Sequence, residues 1–317
     1  MSQSQPVTAT AITATDRRGL FSAIGAFAMW GLLPLYLKML HQAPVFQIMT
    51  HRVAWCCLFV FGWLGVRGEL HQVRRALSDA GTRTRLFASA LLITINWLTY
   101  VWAVGTGHVV ESSLGYFINP LVSVLLGVFF LGERLNRQQW TAVGFAALGV
   151  AWLTWQVGRP PWIALVLALS FGLYGFVRKK VVVDAVAGLG VETVMILPFA
   201  LAWLVFEYVR GTSVFGHYGL QLDLLLIASG LVTAVPLVLF AFGVRRVQLS
   251  TIGLLQYFAP SLQLLTALLV FKEPFTQVQA IGFSLIWLGL VIFAIDGLWR
   301  GRTPRPLSAI VAAEAGS

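Results

Sequence analysis

Arg52 is the basic residue that lies deepest inside a long apolar stretch of the sequence. It stands about eight residues, or roughly 12 Å of helix, into the apolar run 44–66. A charged side chain at that depth in hydrocarbon is costly, and it normally faces a cavity or an ionic partner. Glu111 and Glu192 are the candidate partners. Because Lys38 and Arg52 exceed the obvious acidic groups at membrane depth, the sequence also favours a bound molecule with an anionic group, such as a carboxylate.

Prolines with polar neighbours interrupt the apolar runs. Trp30, Pro34 and Lys38 recur every four residues and therefore share one face of a helix. Pro34 cannot donate to the carbonyl of Trp30, so a kink and a freed carbonyl are predicted there. Asn119 directly precedes Pro120, which places amide donors at the same depth as another freed carbonyl.

The second half of the chain repeats this arrangement. Gln256 and Tyr257 come shortly before Pro260, and Asn96 and Trp97 add an amide and an aromatic ring in an earlier run. Polar, proline-interrupted helices at corresponding positions of two halves are the best sequence indicator of a binding site in a membrane protein.

The composition shows which elements must position these residues. The chain has 317 residues, of which 58% are hydrophobic and 11% charged, whereas about 25% are charged in soluble domains. A water-soluble fold is therefore nearly excluded. An all-α polytopic membrane protein is predicted, because ten apolar runs approach the ~20 residues that a membrane-spanning helix needs. The runs are 19–40, 44–66, 84–105, 109–131, 137–156, 160–178, 187–209, 221–243, 249–271 and 275–297.

The net charge of +10 predicts topology. Seventeen of the 22 Lys and Arg residues fall in alternate loops and in the two tails, and positive residues are retained on the cytoplasmic side. Both termini are therefore predicted to be cytoplasmic. No basic stretch has the interleaved aromatic residues of a nucleic-acid-binding surface. The adjacent Cys56 and Cys57 are expected to be reduced and buried.

The sequence also contains an internal repeat. An offset of 140 residues aligns the third to fifth runs with the eighth to tenth, and an offset near 144 aligns the first run with the sixth. Chance similarity between apolar helices is the alternative, but a shared proline and glutamate at one offset argue against it. The aligned Glu133 and Glu273 are expected to cap loops or to pair with arginine. Halves of five spans enter the membrane from opposite faces, as in many secondary transporters. The predicted units are a tail (1–18), two repeats (19–156 and 157–297) and a second tail (298–317).

Several short runs, taken together, resemble one membrane-protein family. They are Thr50-His51-Arg52, Asn96-Trp97, Ser113 to Pro120, Leu131 to Arg134, Tyr174 to Lys180, Glu192-Thr193, Ser250-Thr251 and Gln256-Tyr257 with Pro260. On these runs the chain resembles the RarD proteins of the EamA family, in the drug/metabolite transporter superfamily, over approximately residues 19–297. The resemblance implies ten transmembrane helices in two inverted-topology five-helix EamA repeats, an inner-membrane location, and movement of small metabolites or drugs. Lys272 and Ala259 depart from the family's pattern.

The polar residues and the resemblance together predict a secondary transporter that works by alternating access. Its central cavity is expected between helices 1–4 and 6–9 of the ten. The predicted lining residues are Trp30, Lys38, Arg52, Asn96, Trp97, Tyr116, Asn119, Gln256 and Tyr257. No P-loop motif occurs, so transport would draw on an ion or solute gradient. A proton is the candidate ion, with Glu111, His51 and Glu192 as the groups that would titrate.

Two other classes of function compete with a transporter. An intramembrane enzyme needs a zinc motif, paired aspartates or a Ser/His pair at membrane depth. The five His residues are dispersed, and we predict no catalytic residue, no metal site and no cofactor. A channel stays an alternative. The expected partners are a small-molecule substrate and the lipid bilayer, without nucleic acid. Small residues in 137–156 and 275–297 suit packing within the chain and a homodimer equally well.

Overall fold

The described part of the chain is built from helices. The computed structural model describes residues 16–106, 108–156, 161–270, 272 and 276–302. The predicted all-α class is confirmed within these residues, whose helices are α1 (Arg17–Met39), α2 (Val45–Val66), α3 (Leu70–Ser78), α4 (Ala80–Gly105), α5 (Val109–Leu131), α6 (Arg137–Trp155), α7 (Trp162–Lys180), α8 (Ala185–Val209), α9 (Leu220–Val244), α10 (Leu249–Gln256), α11 (Phe258–Leu269) and α12 (Gln277–Arg302). Most of both predicted tails lies outside the described residues.

Each of the ten predicted spans falls on a helix or, in one case, on a helix pair. Nine segments of the described chain are long and apolar enough to cross a membrane, with α10 and α11 counted as one. Among the ten predicted spans, the fifth, which is α6, is outside that set. The chain is therefore a multi-pass helical membrane protein, and the count of ten stays a prediction.

Two elements were not predicted from the sequence. The nine-residue helix α3 buries only Val73 and Ala76, and it is far too short and polar to register as a span. The ninth predicted span is divided at Tyr257 into α10 and α11. The break has a local cause, because Pro260 has no N–H to donate to the carbonyl of Gln256.

The helices pack in the same way in the two halves of the chain. Helix α1, the first predicted span, packs against α9 and α11, which correspond to the eighth and ninth spans. Helix α7, the sixth span, packs against α4 and α5, the third and fourth spans. In these contacts the first span corresponds to the sixth, the eighth to the third, and the ninth to the fourth, so each pair is five spans apart.

Helices α6 and α12 pack against each other through their glycines. A methyl group on Gly149 would lie 2.7 Å from the carbonyl oxygen of Gly282, and one on Gly289 would lie 2.6 Å from the carbonyl oxygen of Ala142. Such close backbone approach is typical of small-residue faces in membranes. The small residues of these two helices thus meet within one chain, whereas Gly144 faces open space.

Candidate functional site

A cavity of about 390 Å³ lies inside the helix bundle. Its described lining comes from α1, α2, α4, α5, α7, α9, α10 and α11. The expectation that the seventh span also lines it is wrong for the described residues. That span is α8, which packs on α2 and α4 and contributes no residue to the lining.

The structure brings most of the predicted cavity residues together. Seven of the nine line the cavity, namely Trp30, Arg52, Asn96, Trp97, Tyr116, Asn119 and Gln256. Lys38 and Tyr257 do not. Lys38 is exposed near the end of α1. Tyr257 is fully buried and donates its hydroxyl to the carbonyl oxygen of Phe117 at 3.1 Å, so it joins α10 to α5.

Arg52 is held in the cavity wall by uncharged neighbours. Only 7% of its surface is exposed. Its Nε donates to the hydroxyl of Thr233 at 2.8 Å, and Nη1 lies 3.4 Å from the sulfur of Met49. The guanidinium carbon is 5.8 Å from the centre of the Trp97 ring. No acidic side chain of the described residues pairs with Arg52.

The two acidic partners suggested for Arg52 have different outcomes. Glu192 is wrong as a partner because it forms an ion pair with Arg178. The side chain of Glu111 lies outside the described residues.

Most amides that line the cavity hold helices together. Asn96 donates Nδ2 to the carbonyl oxygen of Leu167 at 2.9 Å and to the hydroxyl of Ser170 at 3.0 Å, which joins α4 to α7. Gln256 donates to the hydroxyl of Ser123 at 3.2 Å. Asn119 differs: its side chain is 8% exposed, and its Oδ1 has no hydrogen-bond partner among the described residues.

The freed carbonyl predicted at Trp30 has a partner that the sequence did not reveal. Nε2 of Gln263, on α11, donates to it at 3.1 Å. Gln263 also lines the cavity. Gln263 lies one helical turn beyond Pro260, and residues one turn apart share a helix face. The sequence therefore contained a signal for Gln263 that the predicted lining did not include.

Aromatic rings close the cavity on the side of the bundle where α1 begins. We call Phe27, Trp30, Phe171, Tyr174 and Phe240 the aromatic cluster. The centres of neighbouring rings in this cluster are 5.3–6.0 Å apart. Phe27, Trp30 and Phe171 reach the cavity, whereas Tyr174 and Phe240 are buried beyond it. The cavity therefore lies in the half of the bundle that contains the C-terminal end of α1.

A buried ion pair lies beyond the aromatic cluster, next to Tyr174. Arg178 and Glu192 are 1% and 2% exposed, and Nη1 of Arg178 lies 3.5 Å from Glu192 Oε1. The same carboxylate accepts from the hydroxyl of Ser89 at 2.5 Å and from the hydroxyl of Tyr174 at 3.4 Å. Arg178, Lys179 and Lys180 are among the seventeen basic residues whose positions predict the topology. The sequence did not predict that Arg178, in the last turn of α7, has its side chain buried in the bundle, although its spacing of four from Tyr174 places both residues on one helix face.

The first half also contacts the second through Glu133. Its carboxylate accepts from the backbone N–H of Leu249 at 2.6 Å and from the N–H and hydroxyl of Ser250 at 2.8 and 2.7 Å. Lys179 lies 3.9 Å away. Glu133 thus caps the N-terminus of α10, where a negative charge is favourable. The aligned Glu273 lies outside the described residues.

The remaining titratable candidates lie away from the cavity. His51 is 6% exposed, and its ring lies 5.1 Å from that of Phe215. Neither His51 nor Glu192 contributes to the described lining. In the part of the chain that the structure describes, no three His, Cys, Asp or Glu residues are grouped so that they could hold a metal ion.

Comparison with known proteins places this chain in a family. The EamA-like transporter family matches residues 17–155 and again 160–295. An uncharacterized transporter of Pseudomonas aeruginosa is 45% identical over 296 residues, which cover 93% of this chain and 99% of the relative. Protein RarD of Salmonella typhi is 43% identical over 286 residues, covering 90% and 97%. A solved crystal structure that is 20% identical covers 90% of this chain and 99% of its own, with a TM-score of 0.68. That last likeness concerns the fold alone.

Proposed function

Because this chain belongs to the EamA-like transporter family, we propose that it is a secondary transporter of a small metabolite or drug-like solute that carries an anionic group. The observation that carries this proposal is Arg52, a buried cation in the cavity wall whose described neighbours are a hydroxyl, a thioether and an aromatic ring. A carboxylate entering the cavity would form a charge-assisted hydrogen bond with this guanidinium.

Alternating access is supported by where the cavity ends. The aromatic cluster and the Glu133 contact with α10 both lie on the side of the bundle where α1 begins. If both termini are cytoplasmic in the inner membrane, as the distribution of Lys and Arg predicts, this arrangement faces outward. Ten spans in two inverted repeats, 19–156 and 157–297 with α6 as the fifth span, would let the halves exchange roles between states. The equivalent packing of α1 and α7 supports that organisation.

Reconstitution into proteoliposomes tests the role of Arg52. Uptake of a panel of small carboxylates and of their neutral amides is measured for the wild type, Arg52→Ala and Arg52→Lys. We expect Arg52→Ala to abolish uptake of the carboxylates and to spare the neutral compounds, with partial recovery in Arg52→Lys. Arg67→Ala is the matched control, because Arg67 follows the end of α2 and its side chain is 59% exposed. Equal loss of both classes of compound in Arg52→Ala would contradict the proposal.

A proton is the proposed coupling ion, with His51, Glu192 and Glu111 as the groups that would titrate. Collapse of an imposed pH gradient should slow uptake against a concentration gradient in the same vesicles. Uptake that is unaffected by this collapse would remove proton coupling and leave the role of Arg52 intact. Counterflow stimulated by unlabelled substrate would separate a carrier from a channel.

A further inference from the structure

The helices of the two halves begin at a constant spacing along the chain. Helices α2, α4, α5 and α6 begin at residues 45, 80, 109 and 137, and α8, α9, α10 and α12 begin 140 residues later, at 185, 220, 249 and 277. The offset of 140 that aligns the later apolar runs therefore also relates α2 to α8, and the offset of 144 relates α1 to α7. We call two residues related by these offsets counterparts.

Counterparts in the middle of the bundle both line the cavity. These pairs are Phe27 with Phe171, Ile93 with Thr233, Trp97 with Leu237, Tyr116 with Gln256, and Asn119 with Ala259. The cavity is thus centred on the region where the two halves meet.

Other lining residues have counterparts that do not reach the cavity. The lining members are Pro34, Met49, Arg52, Tyr100 and Gln263, and their counterparts, in the same order, are Arg178, Leu189, Glu192, Phe240 and Ser123. We call these five counterparts the hidden set. No member of the hidden set is more than 2% exposed. The set includes the ion pair beyond the aromatic cluster, so the side of the bundle where α1 begins holds a buried equivalent of the open wall.

The hidden set is more polar than a permanent core requires. Arg178 donates Nη2 to the carbonyl oxygen of Ala185 at 3.3 Å, but its buried Nε and Nη1 form no hydrogen bond within the described chain. Buried donors in native structures are almost always paired, and an apolar pair is often at least as stable as a buried ion pair. A second conformation in which this side opens to water would satisfy both donors.

We propose that the hidden set lines a second cavity, which opens on the side where α1 begins when the present cavity closes, and that Arg178 binds the anionic group of the solute there. This inference rests on the proposed function, because it assigns the site for the same solute in the other state. The guanidinium of Arg178 lies 3.5 Å from the carboxylate of Glu192, and Glu192 is the counterpart of Arg52. Each cavity would therefore offer an arginine at an equivalent position.

Cysteine labelling in nanodiscs, where both sides of the protein meet the reagent, tests the second cavity. The background is the full-length Cys56→Ala, Cys57→Ala protein. Ser123→Cys reports the hidden set, and Ser229→Cys is the matched control, because Ser229 and its counterpart Ser89 are both fully buried and neither lines the cavity. Ala267→Cys reports the present cavity, which Ala267 lines.

The rates of reaction with a water-soluble maleimide separate the alternatives. Ser123→Cys should react about 10 to 1,000 times more slowly than Ala267→Cys, because a minor conformation is typically about 0.1–10% populated. Ser229→Cys should react more slowly still, since only unfolding exposes it. Equal rates for Ser123→Cys and Ser229→Cys would overturn the second cavity.

A bulky adduct at position 267 tests whether the two cavities exclude each other. Gly127 is the counterpart of Ala267, and a methyl group on Gly127 would lie 3.0 Å from the backbone nitrogen of Ser250. Ala267 should enter an equally tight contact when the present cavity closes. In a protein with both Ala267→Cys and Ser123→Cys, a brief first treatment with a bulky maleimide should therefore nearly abolish later labelling at position 123, as followed by mass spectrometry. The same treatment of Ser123→Cys with Ala267 retained should leave its rate unchanged. Labelling that persists beside the adduct means local loosening and would overturn the proposal.

Uptake assays test the role of Arg178. The double variant Arg178→Met, Glu192→Leu keeps similar side-chain volumes and should lose uptake of small carboxylates while it spares their neutral amides. Arg178→Lys, which keeps the charge, should take up carboxylates with a raised KM, and this variant decides the point if the double variant fails to fold. Equal loss of both classes of compound, or an unchanged KM in Arg178→Lys, would overturn the assignment of Arg178.

Failure of this inference is distinguishable from failure of the proposed function. Labelling that contradicts the second cavity, with uptake of carboxylates still dependent on Arg52, overturns the inference and leaves the anionic substrate standing. A wild type that takes up no carboxylate overturns the proposed substrate together with the role of Arg178, and the labelling rates still decide the second cavity.

Discussion

Removing Glu192 should destabilise the protein far more than removing a partly exposed acidic residue with the same ion-pair distance. In Glu192→Ala, the guanidinium of Arg178 stays buried, and its carboxylate partner at 3.5 Å is lost. Two unit charges at that separation attract by about 5 kcal/mol at an effective dielectric constant of ~20. Loss of one partner of a buried pair typically costs about 3–5 kcal/mol, because the other charge stays desolvated. The hydroxyls of Ser89 and Tyr174 also lose their acceptor.

The chain supplies its own control for this experiment. Arg67 and Glu69 also form an ion pair with a nitrogen to oxygen distance of 3.5 Å, but their side chains are 59% and 28% exposed. An exposed pair is worth about 0–1 kcal/mol, so Glu69→Ala should change the free energy of unfolding by less than about 1 kcal/mol. Since the two pairs have the same separation, the comparison tests burial together with the two hydroxyl hydrogen bonds that the Glu192 carboxylate accepts.

The double variant Arg178→Met, Glu192→Leu tests the cause of the loss. Replacing a buried ion pair with apolar groups of similar volume is often neutral, so stability should return to within about 1 kcal/mol of the wild type. The measurement is SDS-induced unfolding in mixed micelles, followed by far-UV circular dichroism. Equal small losses in Glu192→Ala and Glu69→Ala, or a double variant no more stable than Glu192→Ala, would refute the reasoning.

Two further perturbations follow from the packing. Glu133→Ala removes the cap of α10, so hydrogen–deuterium exchange at the amides of Leu249 and Ser250 should accelerate about tenfold while α2 exchanges as before; unchanged exchange at both amides would contradict the cap. Gly289→Val should lower the melting temperature by several degrees, because its first side-chain carbon would lie 2.6 Å from the carbonyl oxygen of Ala142. Gly144→Val is the matched control, since nothing lies within 4 Å of an added carbon there, and equal melting temperatures for the two variants would argue against close packing of α6 on α12.

Some residues of the candidate site could be predicted from the sequence, and others could not. Arg52 and Asn119 could be singled out because each is polar at a depth where most side chains are apolar. Tyr257 follows Gln256 directly, yet the two point to different surroundings, since adjacent helical residues do not share a face. Sequence spacing does not reveal which of the two faces the cavity. Gln263 was overlooked because its partner, the carbonyl of Trp30, belongs to a helix 233 residues away in the chain.

The sequence by itself determined the helical membrane class, the positions of the long helices and the short set of polar residues at membrane depth. These follow from the scarcity of charge and from the length of apolar helix needed to cross hydrocarbon, and both are local properties of the chain. The tertiary structure decided which charges are paired. Arg178 lies in a basic run that suits a loop, but it is buried against Glu192, whereas Arg52 is left to the cavity. Pairing depends on which helix faces meet, and contacts between distant helices set those faces.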